Sequence, residues 1–202
     1  MGYKYDKEDI LNTGYDVLRK NGYHNVGINQ VLKEAGIPKG SFYNFFESKA
    51  DFANQVVSHY AKDNHKWMQQ YFLDTELSPL EALKSFYKIM IDFNEKDDFA
   101  SGCLLNVLGN EIGRQNDELA ENVNQYFIGW LNILDKVIFE GQKEGEITTR
   151  FTSLELAEYL HSGFYGTFSR MKVTRNRVYM DTWFDMSFEF IKNNTHQNNE
   201  AL

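Results

Sequence analysis

Residues Gly22–Lys49 read GYHNVGINQVLKEAGIPKGSFYNFFESK, and this stretch decides the fold. Ile28, Val31, Leu32 and Ala35 fall at i, i+3, i+4 and i+7, one face of an α-helix. Gly36 follows at once, and glycine accepts the left-handed conformation that ends a helix and turns the chain. Pro38 suits the first turn of a second helix, where its fixed φ is helical and its missing N–H is not needed. In that helix Phe42, Phe45 and Phe46 share one side and are expected to pack on the preceding helices. Lys39, Gly40, Tyr43 and Asn44 point away from them, with Ser41 on the flank.

That outward face suits DNA chemically. Lysine meets a phosphate or guanine O6/N7, and asparagine pairs with adenine N6/N7. Serine and tyrosine hydroxyls donate to phosphate oxygens, which fix register without reading sequence. Gly40 has no side chain, so the backbone can approach the duplex. Ser48 is expected to N-cap a further helix, with Asp51 completing a capping box. The N–H groups at that helix start, with Lys49 beside them, offer a site for phosphate. On pattern alone, a small helical subdomain with an ordinary polar surface is the alternative.

The run Ala35-Gly36-Ile37-Pro38-Lys39-Gly40-Ser41-Phe42-Tyr43-Asn44-Phe45-Phe46-Glu47-Ser48-Lys49 resembles the signature of TetR-family regulators. Residues 6–60 resemble that family's DNA-binding domain. Ile10, Leu11, Gly14, Val17 and Leu18 supply its first helix, which Asn21-Gly22 closes. The resemblance implies phosphate contacts from Lys39, Tyr43 and Lys49, with Ser41, Tyr43 and Asn44 nearest the bases. One departure stands out. Many members have a threonine or serine just before the second helix, where this chain has Val26 and Gly27. A glycine N-cap serves the helix but offers no hydroxyl to a phosphate.

Charge is distributed in keeping with this reading. The 202 residues carry a net charge of −8. Residues 1–62 hold eight of the 21 Lys/Arg and seven of the 29 Asp/Glu, so the acidic excess lies in the rest of the chain. The near-neutral reader is a weak electrostatic footprint for nucleic acid.

Beyond residue 61 helix signals recur. Ser78-Pro79-Leu80-Glu81 combines an N-cap, an N1 proline and a capping-box glutamate. Asn116-Asp117-Glu118 precedes a long amphipathic series from Leu119 to Ile138, which Gly141 and Gly145 are expected to end. Thr152 and Glu155 make another capping box. The last helix, near 176–193, is apolar on two sides: Tyr179, Trp183, Met186 and Phe190 on one, Phe184, Phe188 and Ile191 on another. Such a helix needs burial on more than one side, in a monomer core or against a second subunit. The resemblance implies a homodimer joined through the last two long helices, which places two recognition helices on two half-sites. The expected architecture is all-α, with about nine helices. A three-helix, helix-turn-helix DNA-binding domain covers 1–50, a helical ligand-binding and dimerisation domain covers 51–194, and a polar disordered tail covers 195–202.

Trp67, Phe93, Trp130, Phe164 and Phe168 are candidates to line a pocket between bundle helices, with His161 as a polar group in it. Plain core burial is the alternative for each. Cys103 lies in Ala100-Ser101-Gly102-Cys103-Leu104-Leu105, where a helix is expected to begin. A helix N-terminus favours the reactive thiolate, whereas a structural cysteine behaves as a small buried hydrophobe. The Gly102-Cys103-Leu104 element, together with the PKGSFY reader, resembles a TetR branch that includes repressors of electrophile-detoxifying enzymes. In some of these the matching cysteine is the sensor.

The sequence therefore indicates a sequence-specific DNA-binding transcriptional regulator, a repressor released from double-stranded operator DNA by a small-molecule or thiol-reactive inducer. The alternative is a helical small-molecule-binding or adaptor protein that kept the fold and lost DNA binding. An enzyme is not indicated. The five histidines lack metal-ligand spacing, and there is no nucleophile motif, phosphate loop or cofactor motif. No apolar run is long enough to span a bilayer, and MGYKYDKEDI has no signal-peptide core. One cysteine excludes an intrachain disulfide, and the chain reads as soluble and cytoplasmic.

Overall fold

Apolar residues recur at helical spacing along the chain, and helices form where they do. The computed structural model describes residues 5–96, 102–112 and 115–193. The tail expected to be disordered, 195–202, lies outside these residues. Among the described residues there are nine helices: α1 (Lys7–Asn21), α2 (Ile28–Glu34), α3 (Lys39–Phe42), α4 (Lys49–Asp74), α5 (Pro79–Lys96), α6 (Leu104–Ile112), α7 (Asp117–Lys143), α8 (Ser153–Thr174) and α9 (Val178–Ile191). The chain divides into two compact units, Met1–Lys66 with Ser101–Phe127, and Trp67–Ala100 with Ile128–Leu202. The reader thus shares a unit with α6 and the beginning of α7.

In the first unit α1 starts on Asp6, whose carboxylate accepts the Glu8 N–H at 2.9 Å. It ends at Gly22, with φ at +80°. Gly27 is the N-cap of α2 and makes no side-chain capping bond, as its lack of a side chain requires. Four residues are too few for α3 to hold itself together. Its position comes from Phe42 and Phe46, which are fully buried against Phe52, with ring centroids 5.0–5.4 Å apart. Gly14 makes room for this cluster, because a Cβ there would come within 2.4 Å of the Phe52 ring. Ser48 caps α4 by accepting the Asp51 N–H at 3.0 Å. The Asp51 carboxylate takes the Glu47 N–H at 2.8 Å, so the return bond lands one residue before the cap. Leu104, Leu105, Leu108 and Ile112 of α6 are buried in the same core.

The second unit packs α5, the later part of α7, α8 and α9 around Leu83, Phe86, Leu134, Leu160, Phe164 and Phe188. The capping box at Thr152 and Glu155 forms in full. At the start of α5 the expected box does not form. Glu81 bonds Lys84 at 2.7 Å instead, and the Leu80 N–H goes to the carboxylate of Glu146 at 3.0 Å. A glutamate far along the chain thus satisfies one of the orphan N–H groups of the first turn. Gly141 does not end α7 either. It lies inside the helix, where a Cβ would come 2.6 Å from Ile147 Cδ1. The turn follows at Gly145, with φ at +78°. Among the described residues, no helix is long and apolar enough to cross a membrane.

Candidate DNA interface and regulatory sites

The outward side of α3 and the turn after it presents Lys39, Gly40, Tyr43 and Asn44 to solvent, with Ser41 half-buried. Lys39 has no ion-pair partner among the described residues. Tyr43 is 50% exposed, with its ring set edge-on against buried Phe42 at 5.4 Å. An anchored ring with a free hydroxyl is a fixed donor. Nothing lies within 4 Å of where a Cβ would stand on Gly40 or Gly27, so the backbone there is open to approach.

Lys49 is placed differently from these. Its ammonium lies 4.3 Å over the Tyr23 ring. Burial lowers its pKa, and the charge of Glu111 acts in the opposite sense. Glu111, near the end of α6, accepts the N–H groups of Tyr23 (2.7 Å) and His24 (3.0 Å) in the turn between α1 and α2. The His24 ring Nε2 lies 3.2 Å from the main-chain oxygen of Glu111. Gly22 leaves space for this carboxylate, since a Cβ would come within 1.9 Å of it. One acidic side chain therefore clasps α6 to the turn that orients α2.

Cys103 stands at the other end of α6. It occupies the N-cap position, with its carbonyl accepting the Val107 N–H at 3.1 Å, and it is half-buried. The Tyr60 hydroxyl points at its sulfur across 3.9 Å. Burial pushes the Tyr60 phenol well above its ordinary pKa, so it stays protonated as a donor. The Tyr60 ring stacks on Tyr15 of α1, centroids 4.7 Å apart and 16° from parallel. The Arg19 guanidinium lies 5.0 Å from the Tyr15 ring. A continuous stack thus runs from the thiol to the first helix of the reader.

In the second unit Trp130, His161 and Phe164 line a narrow void with Phe86, Tyr87 and Tyr165, too tight to hold a water molecule. Phe168 is buried beside Phe164. Trp67 lies partly exposed against Phe86 at 5.7 Å. Phe93 is 55% exposed and does not line the void, and Cys103 belongs to the other unit. A larger open hollow of about 440 Å³ is lined mainly by Phe72, Leu73, Leu77, Ile133 and Val137. Burial holds the His161 imidazole down to about 4, so it is neutral at physiological pH.

Comparison with known proteins bears directly on these features. Residues 10–56 match the family model of bacterial regulatory proteins of the tetR family, and residues 79–186 match that of the tetracyclin repressor-like C-terminal domain. The chain belongs to the TetR family. It is a sequence-specific DNA-binding transcriptional regulator with a helix-turn-helix domain. Among its relatives, the transcriptional regulator AcuR of Cereibacter sphaeroides is 31% identical, over 82% of this chain and 76% of its own length. The repressor DhaR of a Mycobacterium species is 28% identical, over 91% of this chain and 90% of its own. The structure of Escherichia coli NemR in its reduced form aligns with a TM-score of 0.84 at 21% identity, covering 93% of this chain and 98% of that one.

In this TetR-family chain, sequence reading did not find Glu111 or Tyr60. Glu111 is one acidic residue among many, and its partners lie 87 and 88 positions away. Only the Gly22 it crowds was marked, as a helix terminator.

Two outcomes follow. Glu111→Ala strips an acceptor from two backbone N–H groups. It is expected to lower stability by roughly 1–3 kcal/mol and to weaken operator binding while leaving the salt dependence of binding unchanged, as read by chemical denaturation and gel shift across a salt series. For His161 the folded value is below the ordinary 6.5, so the unfolded chain takes up the proton first as pH falls. Its stabilising contribution is complete above pH 6.5 and is lost between there and about 4. His161→Gln is expected to remove roughly 2–3 kcal/mol of the acid destabilisation over that window, measured by urea denaturation at pH 7 and 4.5.

Proposed function

We propose that this protein is a dimeric repressor whose hold on operator DNA is released by modification of Cys103 or by a small molecule bound in the second unit. The observation that carries the reading is the stack from Cys103 through Tyr60 to Tyr15 and Arg19. Addition of the thiolate across an activated carbon–carbon double bond forms one C–S bond, breaks the π bond with a proton from solvent going to the adjacent carbon, and leaves several new heavy atoms against Tyr60. The Tyr60 ring is stacked on Tyr15, so volume added at the sulfur acts on that stack. The displaced ring presses on α1, and the reader moves with it. A reversible inducer works by the same balance, since it must bind the DNA-free conformation better to shift anything. The relative NemR, a named repressor whose structure is of a reduced form, gives further support to a redox- or thiol-responsive reading.

On DNA, Lys39 and Tyr43 are assigned to phosphates, with Ser41, Tyr43 and Asn44 reaching base edges and Gly40 letting the backbone close in. Lys49 is assigned a phosphate beside the start of α4, which it shares with its hold on Tyr23. The dimer surface is assigned to α8 and α9. Met186 is 68% exposed there, with Phe190, Leu154 and Tyr159 also in solvent, and a broad apolar patch marks a partner surface. The protein acts in the cytoplasm, on chromosomal DNA.

A selection of genomic fragments with the purified protein identifies the operator, and gel shift then tests both parts of the reading. Lys39→Ala is expected to flatten the plot of log affinity against log salt by about one unit of slope, with no change in the preferred sequence. An unchanged slope removes Lys39 from the phosphate set. N-Ethylmaleimide is expected to release operator from the native protein and to leave Cys103→Ser bound. Release of the serine variant at the same dose overturns the sensor.

A further inference from the structure

The hollow of about 440 Å³ in the second unit opens to solvent, and its lining is mainly apolar. The last turn of α4 and the connection to α5 contribute Phe72, Leu73 and Leu77, and α7 contributes Ile133 and Val137. Leu73 is 79% exposed and Leu77 48%. Large apolar side chains left in water around one hollow mark a binding surface. Two charged groups line it as well, Lys136 and Glu140, one turn apart on α7. The Glu140 carboxylate is taken by Lys143 at 2.6 Å. Lys136 has no ion-pair or hydrogen-bond partner among the described residues. The surface is therefore an apolar seat beside one uncompensated cation.

The chain supplies a matching segment close by. Asn193, the last described residue, donates its main-chain N–H to the Glu146 oxygen at 2.8 Å and its side-chain amide to the Gly145 oxygen at 3.0 Å. The Glu146 carboxylate in turn accepts the Leu80 N–H at 3.0 Å. Leu80 follows Pro79, which lines the hollow. The described chain thus stops two hydrogen bonds from the hollow's edge. Nine residues follow, Asn194-Thr195-His196-Gln197-Asn198-Asn199-Glu200-Ala201-Leu202. Extended, nine residues reach roughly 30 Å, which brings the hollow within range. The first seven carry no large apolar side chain, whereas Ala201 and Leu202 form an apolar pair directly after Glu200. One acid beside one apolar pair complements one cation beside an apolar seat.

We propose that the tail of this chain docks on its own second unit, with Ala201 and Leu202 in the hollow and the Glu200 carboxylate on Lys136. Seated there, it covers Leu73 and Leu77 and links the end of α4 to α7. Attachment at Asn193 favours the contact, because a short tether keeps the segment at a local concentration on the order of millimolar.

The test uses the full-length chain, ¹³C-labelled at its leucine and valine methyl groups. A nitroxide is attached at Asn199→Cys, with Cys103→Ser so that the label has a single thiol to take. It is expected to broaden the methyl signals of Leu73, Leu77 and Val137. Leu202→Asp in the same nitroxide-bearing chain is expected to abolish the broadening, because a carboxylate is costly in an apolar seat. Lys136→Glu is expected to lower the docking constant roughly two- to fivefold, and Glu200→Lys combined with it to restore the lost contact. A second sample mixes unlabelled nitroxide-bearing chain with ¹³C-labelled chain that carries no nitroxide, and its methyl signals are expected to stay sharp. Broadening in that mixture seats the tail on a second copy and overturns docking on its own chain. Sharp Leu73 and Leu77 signals in the single species, broadening that survives Leu202→Asp, or a Lys136→Glu loss that Glu200→Lys does not repair also overturn the proposal.

Discussion

The burial of Phe42 and Phe46 against Phe52 is the constraint on which the reader depends. A helix of four residues has almost no stability of its own, because the cost of nucleation is spread over too few bonds. What fixes α3 is the removal of two large rings from water, worth roughly 1.5–3 kcal/mol each, in a space that Gly14 keeps open. With those rings fixed, the intervening residues have one direction left, and Lys39, Tyr43 and Asn44 face solvent. The surface proposed to meet DNA is therefore a by-product of how the opposite face packs.

The same unit contains a second dependence, on α6. This short helix belongs to the reader's core through Leu104, Leu105, Leu108 and Ile112. Near its end Glu111 holds the turn between α1 and α2, and its N-cap residue, Cys103, faces Tyr60 and the stack that leads to α1. A helix tied at both ends to the elements that orient the recognition surface is well placed to govern that surface. Its coupling runs through charge-assisted hydrogen bonds at one end and through ring packing at the other. These respond to different insults, the first to loss of a carboxylate and the second to added volume.

The second unit balances differently. Its core is dense in aromatic rings, and rings carrying a polar atom bring a requirement that plain hydrocarbon does not. Asn94 meets it locally, by donating to the Met90 carbonyl at 2.7 Å. Among the described residues Tyr87 and Trp183 find no partner that meets it. Each unpaired donor costs roughly 1–3 kcal/mol, so the unit holds a site that is less stable than its packing allows.

The sequence by itself determined the helices, the reader and the family. Apolar periodicity survives every tertiary adjustment, because a helix must bury one face whatever it packs against. The caps at Ser48 and Thr152, made from neighbours in the chain, were legible for the same reason. Where the partner is distant, local reading failed. Glu81 bonds Lys84 instead of closing a box on Ser78, the Leu80 N–H is taken by the distant Glu146, and Gly141 serves close packing on Ile147 rather than a helix end. Among the aromatic candidates, periodicity told apolar from polar but not core from rim, so Phe93 was grouped with Trp130 and Phe164 although it stands half exposed. Tertiary structure alone decided that Cys103 faces Tyr60, that Glu111 clasps the reader's turn, and that Tyr87 and Trp183 lie together unpaired. Each depends on side chains brought together across dozens of residues, and no local spacing encodes such a meeting.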